Sequence, residues 1–455
     1  MVIKSRDKCG VFGIKSKSGV FDRIYYGLYA LQHRGQESAG MAMCTDHIRV
    51  HKDMGLVTEV FNHIHLEGNI GIGHVRYSTT GGSKIENAQP LFIQYSGGNF
   101  AIAHNGNIIN YAELRETLER RGSIFSTTSD TEMIAQLIAQ EHTKLGDFVE
   151  GIKSAMNYLE GSYSLVILCD RKIIAVRDPH GFRPFVLGQS GEDYAVASES
   201  CALDCINMKL VRDIKPSEIL VIGNCIESHF GPEKRTAHCM FEYVYFARPD
   251  SIINGKSVYE IRKNLGKTLA EEAPAKADRV IPVPDSGRTA SIGYSRESKK
   301  TYGEGLMKNR YVGRTFIIPE QENREMEVKM KLNPIKSGIE GKSLVLVDDS
   351  LVRGTTMKQL IQIIKEANAK EVHVRISSPP IRYPCHYGID MQTQTEFIAS
   401  KKDIEGIRKE IGADSLAYIS LEGLINAIGE PESELCLACL TGEYPIKRKE
   451  QTKLL

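Results

Sequence analysis

Residues 344–347 read Leu-Val-Leu-Val, an unbroken apolar run that stops at two adjacent carboxylates, Asp348 and Asp349. A run of that length without polar alternation predicts a strand buried on both faces, as in a parallel sheet. Beyond a polar loop, Leu360, Ile361, Ile363 and Ile364 share one side of a predicted helix over 357–367. Earlier, Ser129-Asp130-Thr131-Glu132 is a capped helix start leading into a helical stretch over 133–142, and 147–159 is a second amphipathic stretch. Short strands are predicted over 163–169, 172–177, 185–187, 194–197 and 218–222, separated by turns such as Asp178-Pro179-His180-Gly181. The run over 218–222 reads as the last strand before a polar stretch at 229–237, where a domain boundary is expected. The second half resumes with a strand over 278–284 leading into a helix from 288, a strand over 372–377, and a strand and helix within 414–424.

At 455 residues the chain has room for two or three domains, each with its own core. Lys and Arg number 58 against 57 Asp and Glu, a net charge of +1 that argues against a broad surface for nucleic acid. No apolar run approaches the length of a membrane span, and the opening Met-Val-Ile-Lys-Ser-Arg-Asp-Lys lacks the apolar core of a signal peptide. The expectation is a cytoplasmic α/β enzyme. Ten cysteines in that compartment point away from disulfides and, where closely spaced, toward a metal.

The strand, polar loop and helix start at 344–357 form a phosphate-binding arrangement, because free backbone N–H groups and the helix dipole favour an anion. Gly354 permits close backbone approach, and Thr355 and Thr356 offer hydroxyl donors. No Gly-Lys-Ser/Thr stands at the spacing of a P-loop. Asp348 and Asp349 would repel a phosphate, so they suit sugar hydroxyls or a metal; taken alone, the dipeptide reads as a solvated turn. The whole stretch resembles the ribose-phosphate signature of the type I phosphoribosyltransferases. That resemblance implies that the acidic pair engages the ribose 2′ and 3′ hydroxyls of phosphoribosyl pyrophosphate. It also implies that the loop with Ser350, Arg353, Gly354, Thr355 and Thr356 holds the 5′-phosphate.

Cys9 by itself reads as a buried strand cysteine, like Cys44 and Cys169. Behind it come Gln-His-Arg-Gly-Gln-Glu-Ser-Ala-Gly at 32–40, Gly73-His74-Val75-Arg76-Tyr77-Ser78-Thr79, Ala103-His104-Asn105-Gly106 and the Ser129 motif. In this order the pieces resemble the glutaminase domain of the N-terminal-nucleophile amidotransferases, over roughly the first half of the chain. Joined to the ribose-phosphate signature, they resemble the glutamine-dependent phosphoribosylpyrophosphate amidotransferases, in their leader-bearing iron–sulfur branch. The resemblance implies a propeptide at 1–8 and an Ntn-hydrolase αββα sandwich over 9–238. A type I phosphoribosyltransferase α/β domain with a mainly parallel sheet would follow over 239–455. It further implies release of ammonia from glutamine and displacement of pyrophosphate from ribose C1, the opening step of purine synthesis.

A thiol attacking the side-chain amide of glutamine needs a base and an oxyanion site. If Cys9 is the first residue, its own α-amino group, with a pKa of about 7.7–8.0, can serve as the base. An internal Cys9 has only an amide nitrogen there, so removal of 1–8 is expected. By resemblance, Arg76 binds the α-carboxylate of glutamine, Asp130 its α-amino group, and the Asn105 side chain with the Gly106 N–H forms the oxyanion hole. In isolation Asn105-Gly106 reads as a tight hairpin turn. Arg34 would support a loop closing over glutamine.

In the second half, Asp285-Ser286-Gly287 ends a strand and suits the pyrophosphate. The basic stretch with Lys308, Arg310, Arg314 and Arg324 reads as a solvated loop on charge alone, and by resemblance as a flexible lid over phosphoribosyl pyrophosphate. Mg²⁺ would bridge pyrophosphate and ribose beside Ser286, Asp348 and Asp349. Cys436-Leu-Ala-Cys439 alone fits zinc, redox chemistry or neither. With Cys239 and Cys385 it matches the four positions that bind a [4Fe–4S] cluster in one branch of the family, although spacing does not separate iron–sulfur from zinc. The family also implies a homotetramer inhibited by purine nucleotides. Two other classes fit parts of the chain. A phosphoribosyltransferase-fold regulator without chemistry is opposed by the intact glutaminase set, and a stand-alone amidase is opposed by the ribose-phosphate signature.

Overall fold

The computed structural model describes residues 9–77, 83–309, 332–389, 391 and 394–446. In the N-terminal half two antiparallel sheets lie face to face. The seven-stranded sheet runs in the order Lys209–Asp213, Val186–Ser190, Asp193–Ala197, Gly10–Lys15, Ile70–Arg76, Ser38–Cys44, Ile48–Met54. The six-stranded sheet runs Ile226–Phe230, Glu218–Ile222, Lys172–Arg177, Gly161–Cys169, Gly98–Ile108, Leu91–Tyr95. The period-two geometry of strands sorts the side chains. Val11 faces the layer between the sheets with Ile72, Ala103, Val166 and Val196. Its neighbour Phe12, with Ile14, faces outward onto the helix Phe21–Ala30 through Ile24 and Leu28. The helices Asp130–Leu145 and Phe148–Met156 cover the other sheet through Met133, Ile134, Ile152 and Met156. This is the expected sandwich of two sheets between helical layers.

Ser129 accepts the Thr131 N–H and Asp147 accepts the Glu150 N–H, so each of these helices starts at a polar N-cap. The stretch at 218–222 is not the last strand, because Ile226–Phe230 pairs antiparallel with it. That edge strand carries exposed Glu227, Ser228 and Phe230 and has no apolar alternation to announce it. Asn105 and Gly106 are not a hairpin turn either, since both lie inside the long strand Gly98–Ile108.

The C-terminal half is built on an all-parallel five-stranded sheet, in the order Thr301–Tyr302, Arg279–Pro282, Ser343–Asp348, Glu371–Ile376, Ser415–Tyr418. Val345 and Val347 pack on one face with Leu265 and Ala290, while Leu344 and Leu346 pack on the other with Leu360 and Ile364. Both faces are covered, which is why the sequence shows no alternation there. The strand His238–Cys239 pairs in parallel with Leu435–Cys436, bringing the end of the described chain back to the junction between the halves. No described helix is long and apolar enough to cross a membrane.

The helices Val258–Glu272 and Arg288–Ser298 cross at two glycines. A Cβ on Gly266 would stand 1.8 Å from the Ala290 carbonyl oxygen, and one on Gly293 would stand 1.9 Å from that of Lys263. Backbone cannot yield as a flexible side chain does, so Gly266→Val forces the helices apart. The expected cost is about 1–3 kcal/mol, in the range of core overpacking. A shift of the urea midpoint to lower concentration with unchanged slope checks it.

Candidate active site

Cys9 immediately precedes the central strand Gly10–Lys15 of the seven-stranded sheet, beside Ile70–Arg76 with Gly10 opposite Val75. Its Sγ donates to the Tyr77 carbonyl at 3.5 Å. Burial is the largest influence on the thiol and pushes it up to about 11, opposed by the Tyr77 contact and by the charge of Arg76. Asp130 and Glu37 raise it further, so Arg76 and Asp130 act on the thiol in opposite directions. Arg76 is buried and pairs with Glu37. Asp130 opens its helix, accepts the Ile108 N–H at 3.1 Å, and stands 3.5 Å from His104 Nδ1.

The strand Gly98–Ile108 pairs from Phe100 to Ile108 with Gly161–Cys169, but its other neighbour, Leu91–Tyr95, reaches only as far as Ile102. From Ala103 onward one edge is therefore open. On that edge the His104 N–H donates to Gln89 Oε1 at 2.7 Å and the Ile108 N–H to Asp130. Strand periodicity puts the Gly106 N–H on the same edge, between them. The Asn105 amide donates to Ser198 Oγ at 3.4 Å, and the same hydroxyl accepts the Val11 N–H at 2.9 Å. Ser198 thus ties the Asn105 side chain to the strand that follows Cys9.

Arg34 is fully buried. Its Nε donates to the Cys9 carbonyl at 3.3 Å, and its two Nη atoms pair with Glu199 and with Glu242, which accepts at 2.8 and 3.1 Å. The guanidinium therefore holds the Cys9 backbone and is tied to a carboxylate of the second half. Arg183, also buried, donates to Glu242 and to the Tyr387 carbonyl. Glu37, Ser198, Glu199 and Glu242 did not emerge from sequence reasoning. Each acts through a partner distant in the chain, and of the four only Glu37 lies within a quoted motif.

In the second half, Asp285, Ser286 and Gly287 follow one parallel strand, and Asp348 and Asp349 end or follow the adjacent one. A Cβ on Gly287 would stand 2.3 Å from the Val347 carbonyl, so only glycine lets the two loops meet. Ser286 Oγ donates to Asp348 at 3.5 Å, the Asp349 N–H donates to Asp348 at 2.9 Å, and Ser350 Oγ donates to Asp349 at 2.6 Å. Desolvation and then the neighbouring Asp349 raise the Asp348 carboxyl well above its ordinary range. Gly354, at φ 77°, turns the chain into the helix Thr355–Glu366, whose first two residues are the exposed Thr355 and Thr356. Arg353 is half-buried just before them. Lys308 Nζ pairs with Asp285 at 2.7 Å. Arg310, Arg314 and Arg324 lie outside the described residues.

Of the four expected cluster cysteines, the backbone sets Cys239 and Cys436 side by side in the parallel pairing. The Cys439 carbonyl accepts the N–H groups of Arg382 and Tyr383, and the Cys385 N–H donates to Met391. Burial raises all four thiols, Cys239 to about 11, and Cys436 and Cys439 are each raised further by other members of the set. Among the described residues, no group of three or more His, Cys, Asp or Glu side chains stands at the spacing of a preformed metal site.

A family profile described as a glutamine amidotransferase domain matches residues 74–205, and one described as a phosphoribosyl transferase domain matches 252–377. An amidophosphoribosyltransferase of Methanothermobacter thermautotrophicus is 54% identical over 449 residues, covering 97% of this chain and 95% of its own length. That of Bacillus subtilis is 46% identical over 460 residues, covering 98% and 96%. The structure of glutamine phosphoribosylpyrophosphate amidotransferase from B. subtilis complexed with ADP and GMP superposes with a TM-score of 0.92 at 45% identity, covering 97% of this chain and 98% of that one.

Proposed function

The chain belongs to the amidophosphoribosyltransferase family, and from that membership we propose how its residues divide the reaction. The activity is the family's: a glutamine-dependent phosphoribosyltransferase hydrolyses glutamine and transfers the ammonia to phosphoribosyl pyrophosphate. The products are 5-phosphoribosylamine, glutamate and pyrophosphate, in purine biosynthesis.

In the proposed glutamine half, Cys9 Sγ attacks the carboxamide carbon of glutamine. Its proton passes to the α-amino group of Cys9 once residues 1–8 are removed. A thiol held near 11 supports the need for that base. Asn105 and the Gly106 N–H receive the oxyanion, supported by the Ser198 hydroxyl that links Asn105 to Val11, two residues after Cys9, and by the strand edge onto which the Gly106 N–H points. Arg76 takes the α-carboxylate and Asp130 the α-ammonium group, supported by their electrostatic reach to the thiol. Arg34 holds the Cys9 carbonyl from below.

In the second half, the released ammonia attacks ribose C1 and pyrophosphate leaves. Asp348 and Asp349 hold the ribose hydroxyls; Ser350, Arg353, Gly354, Thr355 and Thr356 hold the 5′-phosphate at a helix N-terminus. Lys308, with Arg310, Arg314 and Arg324, closes over the pyrophosphate. Phosphoribosyltransferases generally use Mg²⁺, and a carboxylate pair that resists double ionisation fits a cation held with substrate oxygens. Ser286, Asp348 and Asp349 would hold it, and when bound it neutralises the departing pyrophosphate.

Cys239, Cys385, Cys436 and Cys439 would hold the [4Fe–4S] cluster. Four cysteines whose thiols burial raises, three of which act electrostatically on Cys439, fit a group that binds thiolates and would offset the cost that burial places on ionising them. The cluster's part is to pin the C-terminal segment to the domain junction, where Cys239 and Cys436 already pair. A cytoplasmic location, a homotetramer and feedback inhibition by purine nucleotides complete the proposal; the B. subtilis relative was solved with ADP and GMP.

The presence of both sites in one chain, with Arg34 and Glu242 bonded across them, carries this division of labour. Anaerobic protein supplied with glutamine, phosphoribosyl pyrophosphate and Mg²⁺ should release glutamate and pyrophosphate one to one, each release depending on both substrates. Glutamate without pyrophosphate would leave a glutaminase serving some other acceptor.

A further inference from the structure

The loop that begins at Cys385 reaches across the domain junction into the strand carrying Asn105 and Gly106. The Asn107 side-chain amide donates to the His386 carbonyl at 2.9 Å. Ser162, directly opposite Asn107 in the neighbouring strand, donates its hydroxyl to the Tyr387 carbonyl at 2.8 Å and accepts the Asn107 N–H at 3.3 Å. Gly388, at φ 89°, lies against the same strand: a Cβ there would stand 3.2 Å from Asn107 Cβ and 3.3 Å from the Gly106 carbonyl carbon. Tyr387 is held from behind by stacking on Phe182, with ring centroids 4.2 Å apart, and its carbonyl also accepts from buried Arg183.

Three consecutive loop residues thus touch two strand positions next to the assigned oxyanion donor. At this point no second strand among the described residues pairs with it to fix its pleat. We infer that the 385–388 loop is the missing brace, and that Asn107 and Ser162 are positioning residues that set the Gly106 peptide for glutamine cleavage. This rests on the reading of Cys9, Asn105 and Gly106 as the cleaving set. A misdirected donor costs the transition state more than the ground state, because only the transition state carries the full oxyanion.

The test uses the full chain with Asn107→Ala, Ser162→Ala and Gly388→Ala, assayed with glutamine and separately with ammonium, both in the presence of phosphoribosyl pyrophosphate. Each variant should lower kcat with glutamine by roughly tenfold, a fraction of the loss on removing an oxyanion donor outright. KM for glutamine and the ammonium-dependent rate should stay unchanged. Affinity for glutamate γ-semialdehyde, whose thiol adduct carries a tetrahedral oxygen at the same place, should fall by the same factor as kcat, while affinity for glutamate holds. The Asn107→Ala, Ser162→Ala double variant should lose less than the product of the two single losses, because both hold one loop. A rise in KM alone, an equal fall with ammonium, or unchanged semialdehyde affinity overturns the inference. Should buried Ser162→Ala fail to fold, half-buried Asn107→Ala carries the same readouts. Full glutamine-dependent activity in Cys9→Ala would instead remove the reading of the site itself.

Discussion

Cys9→Ala should abolish synthesis of 5-phosphoribosylamine from glutamine, by on the order of 10⁴-fold or more, as when a covalent nucleophile is removed. Synthesis from ammonium should persist, because the ribose-phosphate loops lie in the other half. With its thiol near 11, a buried Cys9 holds roughly one thiolate in 10⁴ at pH 7. Among the described residues, the charge of Arg76 opposes burial without reversing it, and Asp130 and Glu37 work the other way. The reaction therefore needs a base that takes the proton as the sulfur attacks. The α-amino group that loss of 1–8 would expose would meet that need, with a pKa of about 7.7–8.0. A variant that keeps the leader should be as inactive with glutamine as Cys9→Ala, and equally competent with ammonium. Intact mass and the two assays settle it together. A chain whose mass includes the leader, yet which hydrolyses glutamine, would overturn the assignment of the base.

How much of this was legible in the sequence depends on the range over which each residue acts. The strand before Asp348 and the helix after Gly354 follow from local burial and turn chemistry, and they fall within two residues of expectation. The N-caps at Ser129 and Asp147 are local too. Asn105-Gly106 shows the opposite case. The dipeptide has the composition of a hairpin turn, but pairing with Gly161–Cys169 keeps it extended, so tertiary context overrides local preference. The edge strand Ile226–Phe230 was missed because one edge of a sheet can be polar on both faces. The ion pairs of Arg34 with Glu199 and Glu242 span 165 and 208 residues, and no periodicity encodes such distances. Motif resemblance gathered Cys9, Arg76, Asn105 and Asp130 into one set, while the buried frame that holds them came only from the fold.

Asp348→Asn should disable the transferase and stabilise the protein at the same time. Desolvation and the charge of Asp349 hold the Asp348 carboxyl well above its ordinary range, so ionising both carboxylates opposes folding. The folded state then binds more protons than the unfolded chain at pH values above the ordinary carboxylate range. Stability therefore falls as pH rises from that range toward the raised value, the reverse of a salt-bridged carboxylate. Asparagine keeps the shape and removes the charge, so its thermal midpoint should exceed that of the native chain at neutral pH and lose this part of the pH dependence. On the proposed reading, the same change also removes an acceptor for the ribose hydroxyls and half of the charge that would draw in a cation. kcat/KM for phosphoribosyl pyrophosphate should fall by about 10²–10³-fold with either nitrogen donor, the scale of losing a preorganised electrostatic contact. Thermal unfolding between pH 5 and 8, with and without Mg²⁺ and phosphoribosyl pyrophosphate, separates the effects. The native chain gains stability from the ligands by mass action, and the variant should gain far less. A residue kept for folding would lose stability on substitution. If Asp348→Asn lowers the midpoint and leaves kcat/KM intact, the carboxylate pair is structural, and the ribose contact must be sought elsewhere along the same sheet edge.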